Sequence, residues 1–434
     1  MARGHGMTAP GRGPGRAGAL DAPYHHHSHS ALLAHVLAPG VSAPVDVLIV
    51  PTARPVESLR EAMKLARGLR SPLIALCSRS ARAAEAAELG QDLGVDVIAV
   101  DVAAEHVRMP TFETDALLFG TRFHSLVDLS LKRNLGILLA SAKGWRRALF
   151  LDDDISHGQP HEVRAAAGLL DKYDAVGLHN VGYPDNSVVC HAYRQAGGEQ
   201  DTFVGAGAMM IDTVASRSFF PNVYNEDWFF LLGDGRLRRT AKTGKVRQKP
   251  YDPFADPDRA RAQEFGDSLA EGLYWLLDEE RGLSDANDGF WREFITRRRR
   301  FIGHVQRRVE SVRPPGWERM LASLDAAESE SYFVTPSLCV DYVRAWAADL
   351  TSWQEYLEDL PRSKHLEKIL AGLGILDRTY RARRTPAALD QVDLGYDPPE
   401  VDPASDRLPP DRVAAGGKVR AAGRVRAAAR PTRR

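Results

Sequence analysis

The stretch Leu149-Phe150-Leu151-Asp152-Asp153-Asp154-Ile155 decides how this chain is read. An apolar strand delivers three adjacent carboxylates at its C-terminal end. In an open α/β sheet, that end is where ligands bind. Neighbouring like charges are costly unless a cation or several donors neutralise them. On an extended segment alternate side chains share a face, so Asp152 and Asp154 are expected to converge while Asp153 points elsewhere. Such hard oxygen donors suit Mg²⁺ or Mn²⁺, ions that commonly bridge substrate phosphates. An acidic N-cap for the His157–Leu170 segment is the plainer explanation, but a cap needs one carboxylate and not three.

Working outward, Val45–Val50, Leu73–Cys77 and Val95–Val102 read as buried strands. Between them, Glu57–Leu69 places Leu59, Ala62, Met63, Ala66 and Leu69 on one helical face, and Ala81–Leu93 is Ala/Glu-rich and helical. Ser125–Ala142 is a longer helical pattern that ends at Gly144, a natural C-cap. This alternation predicts an α/β fold: a Rossmann-like, mostly parallel sheet with helices on both faces. Beyond Asp174, the segments Ala175–Leu178, Ser187–Tyr193 and Phe203–Ile211 read as further strands. From Pro257 the pattern turns helical over Arg259–Leu277, Trp291–Val309, Cys339–Leu357 and His365–Leu373. The expected organisation is a catalytic sheet domain over 45–256 and a helical C-terminal region over 257–385. Disordered tails are expected over 1–44 and 386–434, where Gly, Pro, Ala and Arg offer little apolar surface to offset chain entropy.

Composition narrows the function. The 434 residues carry 57 Lys plus Arg against 57 Asp plus Glu, so there is no chain-wide basic field and no nucleic-acid partner is expected. The run Lys418–Arg434 is locally basic and reads as a solvated tail, with peripheral contact to an anionic membrane as the alternative. The run His25-His26-His27-Ser28-His29 reads as a solvated tail with incidental metal affinity. The 3 cysteines, Cys77, Cys190 and Cys339, are too scattered for a disulfide framework or a zinc knuckle, which fits a cytoplasmic setting. No apolar run approaches the roughly 20 residues that span a bilayer, and no signal peptide is evident.

Further motifs surround the aspartates. Tyr224-Asn225-Glu226-Asp227-Trp228-Phe229-Phe230 opens an aromatic-rich helical turn with two carboxylates, one of which could act as a general base. A capping pair over core aromatics explains the same residues. Small residues in Gly205-Ala206-Gly207 let a ligand approach the backbone, as a tight turn also would. Pro51-Thr52-Ala53-Arg54-Pro55 follows the first strand at the ligand-binding edge, without the Gly-rich phosphate loop of nucleotide folds.

In this order the elements resemble the GT-A glycosyltransferases of the family-2 type. The matching features are the first strand and its turn, Lys132-Arg133-Asn134-Leu135-Gly136, Asp152-Asp153-Asp154, Gly205-Ala206-Gly207 and Glu226-Asp227. The resemblance covers about Val45 to Pro253. It implies a metal-dependent transfer of a sugar from a nucleoside-diphosphate sugar to an acceptor hydroxyl. It would set Pro51, Thr52 and Arg54 beside the base and ribose, and Arg133 and Asn134 near the base or diphosphate. Asp152 would contact the ribose or the metal shell, with Asp153 beside it, and Asp154 would hold Mn²⁺ or Mg²⁺. Gly205, Ala206 and Gly207 would flank sugar and acceptor. Asp227 would be the base, with Glu226 next to it.

Two features depart from that pattern. The second strand ends Leu76-Cys77-Ser78-Arg79, without the usual acidic residue, and Lys245-Val246-Arg247-Gln248-Lys249 offers no late histidine for the metal. His157 and His161 are conceivable substitutes, though surface roles suit them better; His179 and His191 read as structural. Glu264, Asp267 and Glu271 share one helical face, read as solvated, and the basic helix around Arg297–Arg300 is read as pairing with acidic helices. Three rival readings stand. A haloacid-dehalogenase-type phosphatase would use Asp152 as nucleophile but leaves the three earlier strands unexplained. A sugar-phosphate nucleotidyltransferase lacks its Gly-rich loop here. An inactive binding protein would have kept the fold alone.

Overall fold

The computed structural model describes His25 and residues 29–383, apart from Asp185 and Asp234. The sequence-based expectations for Lys418–Arg434 and for the rest of 384–434 lie outside the described residues, as does most of 1–28. In chain order the elements are β1 (Ala34–His35), β2 (Val47–Thr52), α1 (Arg60–Leu69), β3 (Leu73–Cys77), α2 (Ala83–Asp92) and β4 (Val97–Asp101). Then come α3 (Glu113–Leu118), α4 (Leu129–Lys143), β5 (Arg147–Leu151), β6 (Ile155–Ser156), α5 (Pro160–Leu169), β7 (Ala175–Asn180) and α6 (Val188–Gln195). They are followed by β8 (Ala208–Asp212), α7 (Glu226–Leu231), β9 (Thr240–Gln248), α8 (Pro257–Asp278) and α9 (Asp288–Val312). The last are α10 (Trp317–Ser331), α11 (Pro336–Asp359), α12 (Leu366–Gly372) and β10 (Thr379–Ala382).

The strands form one 10-stranded sheet in the order β1-β9-β7-β8-β5-β2-β3-β4-β10, with β6 attached to β9. The β2–β3, β3–β4, β2–β5, β7–β9 and β1–β9 pairs are parallel, and β8, β10 and β6 run against their neighbours. The central strands are apolar except at their ends, at Thr52, Asp101 and Arg147, because both faces are covered. On β2, Val47 and Ile49 face one core while Leu48 and Val50 face the other; β5 divides Ala148 and Phe150 from Leu149 and Leu151 in the same way. One core is roofed by α1, α2 and α5, the other by α4, α7, α8 and α11. The fold is therefore α/β, with a mostly parallel sheet, helices on both faces and a helical C-terminal region.

That helical region shares its core with the sheet. Phe265, Leu269, Trp291, Tyr342 and Trp353 lie in one cluster with Phe150, Phe220 and Phe229. The described residues form one compact unit, and β10 returns to close the sheet edge beside β4. Among the described residues, no helix is long and apolar enough to cross a membrane.

Three local expectations are corrected. Ser187–Tyr193 is not a strand. Ser187 accepts a hydrogen bond from the Cys190 amide and caps α6, and Val188, Val189 and Tyr193 pack against Phe301, Ile302 and Leu324 of the neighbouring helices. Tertiary packing there outweighs the β preference of the two valines. The strand expected over Phe203–Ile211 begins only at Ala208, because the Ala206 amide donates to the Asp227 carboxylate instead of to a neighbouring strand. The N-terminal segment carries structure before residue 45: Ala34 and His35 pair in parallel with Ala241 and Lys242, and His29 is buried.

Candidate active site

The chain runs from β2 through β3 to β4 in one direction across the sheet, then returns to place β5 on the other side of β2. The crevice beyond the C-terminal ends of β2 and β5 is thus a topological switch point, the usual ligand position in an open α/β sheet. The Thr52 turn and the three aspartates meet there.

The aspartates do not form an extended segment. The Ile155 amide donates to the Asp152 carbonyl at 3.1 Å, which closes a turn, so the expected alternation of side chains does not apply. Each carboxylate has its own partners. Asp153 is buried and accepts from Thr52 Oγ1 at 2.6 Å, from Ser58 Oγ at 3.4 Å and from Arg54. Arg54 also reaches Asp154 through Nη2 at 3.1 Å. Asp152 accepts from Arg133 Nη2 at both oxygens, at 2.9 and 3.2 Å. Asp153 is therefore committed to holding the turn against β2, in place of the substrate contact its neighbours suggested.

Arg133 links the two acidic motifs. It lies in the first turns of α4, is almost fully buried, and bonds both Asp152 and Glu226. Burial acts against its charge, but Asp152, Glu226 and Asp227 hold it firmly protonated. Asp227 is aimed by two backbone amides, Ala206 and Trp228, each donating at 2.9 Å. Burial lifts the Glu226 carboxyl to about 8 despite Arg133, with the Asp227 charge adding to the rise. Asp227 is raised by burial as well, against the pull of Arg133. Asp154 is raised by burial and by Asp152, which Arg54 only partly offsets.

The glycine-rich segment closes on the same place. The Asp152 amide donates to the Gly207 carbonyl at 2.9 Å, and a Cβ on Gly207 would stand 3.2 Å from Asp152 Oδ2. Gly205, Ala206 and Gly207 thus lie between Asp152 and Asp227. Pro51 is buried within β2 opposite Leu76, one residue before the turn.

Asn134 is the expected site residue that the fold does not deliver. Its amide group clamps the Phe220 backbone, donating to the carbonyl and accepting from the amide at 2.8 Å each. The residue before Arg133 matters instead. Lys132 is buried and donates to the Thr52 carbonyl at 2.8 Å and to Ser78 Oγ at 2.6 Å, with Asp128 as its counter-ion at 3.1 Å. It fixes the turn after β2 and the end of β3 from below. It has no role among the sequence-based expectations; a lysine one turn into an apolar helix is the one signal that marks it.

His157 and His161 are exposed. Among the described residues, no three His, Cys, Asp or Glu side chains form a ready metal cage. Mg²⁺ and Mn²⁺ sites on phosphate substrates need less: one or two carboxylates, with phosphate oxygens and waters completing the shell. The donor set here fits that pattern. Five carboxylates (Asp152, Asp153, Asp154, Glu226 and Asp227) meet two guanidiniums, those of Arg54 and Arg133. Asp154 keeps the most loosely held charge, because the Arg54 side chain is 54% exposed and can leave it.

The face of Glu264, Asp267 and Glu271 is buried and not solvated. Glu264 and Asp267 pair with Arg298, one of the run expected to meet acidic helices, and Glu271 pairs with His29 at 3.1 Å. Asp267 also accepts from Asn225 Nδ2 at 3.0 Å, which ties this network to the residue that opens the Glu226-Asp227 turn. Gly266 of α8 lies against the same turn: an added Cβ would come within 2.3 Å of the Tyr224 carbonyl oxygen and 2.8 Å of its nitrogen. Backbone cannot yield as a side-chain tip can. Gly266→Ala is expected to cost about 1–3 kcal/mol through overpacking. It should also weaken turnover by moving Glu226 and Asp227; a denaturant melt and a rate measurement on the same preparation check both effects.

No family model matches the chain, and no curated protein matches it in sequence. A solved structure similar to the chain is the mannosyltransferase PcManGT from Pyrobaculum calidifontis in complex with GDP-Man and Mn²⁺. It shares 11% identity over 75% of this chain and 88% of that one, with a TM-score of 0.35. A likeness at that level carries no conclusion about this chain.

Proposed function

We propose that the chain is a GT-A-type glycosyltransferase that moves a sugar from a nucleoside-diphosphate sugar to an acceptor hydroxyl. The observation that carries this reading is the placement of Arg133 at the switch point, tying the aspartate turn to Glu226 beside the amide-anchored Asp227. The Thr52 turn, with Arg54, borders the nucleotide. Asp154, with Asp152 beside it, would hold Mg²⁺ or Mn²⁺. Bound there, the ion would act as a Lewis acid on the leaving diphosphate. Asp227 takes the proton of the acceptor hydroxyl as it attacks the anomeric carbon. Gly205, Ala206 and Gly207 leave room for the sugar between them.

A phosphatase reading would need Asp152 free as a nucleophile, yet both of its oxygens are bonded to Arg133. An inactive binding protein is favoured by one observation, the lack of a ready metal cage among the described residues. One experiment separates these. UDP, GDP, CDP and ADP are titrated calorimetrically with and without Mn²⁺, into the native chain and into Asp154→Asn. The expected result is metal-dependent binding of one nucleotide that Asp154→Asn weakens at least tenfold. Equal affinity in both proteins would remove Asp154 from the metal site, and no nucleotide binding at all would end the transferase reading.

A further inference from the structure

A cleft of about 650 Å³ opens at the C-terminal ends of β7 and β9, lined by Ser156, His157, Gly182, Tyr183, Arg247 and Lys249 among others. The ladder between β6 and β9 fixes how its wall is built. Ile155 pairs with Gln248 and Ser156 with Arg247, and the bond from the Lys249 amide to the Asp154 carbonyl at 3.0 Å extends the pairing by one residue. Directly opposed residues on antiparallel strands share a face, and alternate residues return to it. Ile155 and Gln248 are buried, so Ser156, Arg247, Asp154 and Lys249 share the outer face. Two cations about 6–7 Å apart along the strand thus flank the aspartate turn.

Both side chains are exposed, and neither has a hydrogen-bond or ion-pair partner among the described residues. That sets them apart from Arg54 and Arg133, whose charges the aspartates already engage. Glu61 also borders the cleft, but it is paired with Lys64 at 2.8 Å. The Tyr183 side chain adds a neutral donor. An arginine fork and a lysine converging on an open cleft match a doubly charged, multi-oxygen anion better than a single carboxylate.

We propose that this cleft is a second anion subsite, which takes a phosphomonoester carried by the acceptor. That the phosphate belongs to the acceptor rests on the transferase reading above; the anion site does not. The sheet order supports the acceptor. The strands that wall the cleft, β7 and β9, lie on the opposite side of β5 from β2 and β3, beside which the nucleotide is proposed to bind, and Glu61 of α1 marks the flank of the cleft nearest that site.

The test uses the full chain and inorganic phosphate as the probe, titrated calorimetrically into the native protein and into Arg247→Ser/Lys249→Ser. The double variant should bind phosphate at least tenfold more weakly, while Arg247→Lys/Lys249→Arg retains binding. Because both residues are exposed, thermal melts of all three proteins should coincide. Unchanged phosphate affinity in the serine variant, or no saturable binding by the native protein, overturns the proposal. Titration of the nucleoside diphosphates into the native chain reports separately on the donor reading: if it fails while phosphate binding depends on Arg247 and Lys249, the anion site stands and its link to an acceptor falls. Two further probes tell the sources of the phosphate apart. Vesicles of phosphatidylcholine with phosphatidic acid that sediment the native chain more than the serine variant assign a lipid-borne phosphate. Glycerol 3-phosphate binding that the variant loses, with equal sedimentation of both proteins, assigns a soluble one.

Discussion

Asp227→Asn should lower the turnover number by about 10²- to 10⁴-fold, the usual contribution of a positioned general base, which is the role proposed for Asp227. The side chain keeps its shape and loses its ability to take a proton. Both of its oxygens accept backbone amides, Ala206 on one side and Trp228 on the other. An asparagine nitrogen must face one of those amides, which adds a stability cost of about 1–3 kcal/mol for the donor left unpaired. The two effects separate experimentally. Nucleotide binding, read by calorimetry, should stay within a few-fold of native, because the Thr52 turn and the aspartates are untouched. Near-native turnover by a folded Asp227→Asn protein would remove Asp227 from the chemistry.

The pH profile carries the same argument. A base works only when deprotonated, and burial raises both Asp227 and Glu226, the latter to about 8. Activity should therefore climb with pH through a range well above that of an exposed carboxyl, and fall as either group takes up a proton. The Asp227 charge helps to raise Glu226, so Asp227→Asn should let the Glu226 carboxyl titrate at lower pH, read by NMR. Arg133 keeps both Asp152 and Glu226 in that variant. A Glu226 titration that moves upward, or does not move, contradicts the coupling of the two carboxyls.

Much of this arrangement can be read from the chain. The strands β2, β3, β4 and β5 are legible because burial on both faces leaves each with an apolar run of four or five residues, and the aspartates mark where one of them ends. What escapes is set by contacts distant in sequence. Asn134 looks like a site residue beside Arg133, yet its amide is taken by Phe220, 86 positions away. Lys132 looks like a surface lysine until β2 and β3 are stacked above it. Asp153 faces Thr52 because a turn replaces the extended segment, and no local pattern distinguishes the two. Val188-Val189 favours a strand until α9 and α10 are packed against it. The acidic face of α8 reads as solvated because its partners, His29 and Arg298, come from the N-terminal segment and from α9.

Arg298→Met should destabilise the fold by about 3–5 kcal/mol, the range for removing one partner of a buried ion pair. The guanidinium is 3% exposed and donates to Glu264 at 3.0 and 2.8 Å and to Asp267 at 2.6 Å. Burial pushes both acids upward, and Arg298 is the main influence pulling them down. Without it, two carboxylates remain inside the protein with Ser268 and Asn225 as their hydrogen-bond donors. They must either stay charged at high cost or take up protons, so the variant should lose more stability as pH rises from 5 to 8. The acids are the problem that Arg298 solves, so replacing all three should recover most of the loss: Arg298→Met with Glu264→Gln and Asp267→Asn removes all three charges and leaves the His29–Glu271 pair as it was. Urea unfolding at two pH values measures the single and the triple variant on one scale. A loss under about 1 kcal/mol for Arg298→Met would show that the pair is not held buried in solution. The active site should register the same change, because Asp267 holds Asn225 and Asn225 opens the turn that presents Glu226 and Asp227. In the single variant kcat should fall while nucleotide affinity persists, which places the damage on the acceptor side of the aspartate turn.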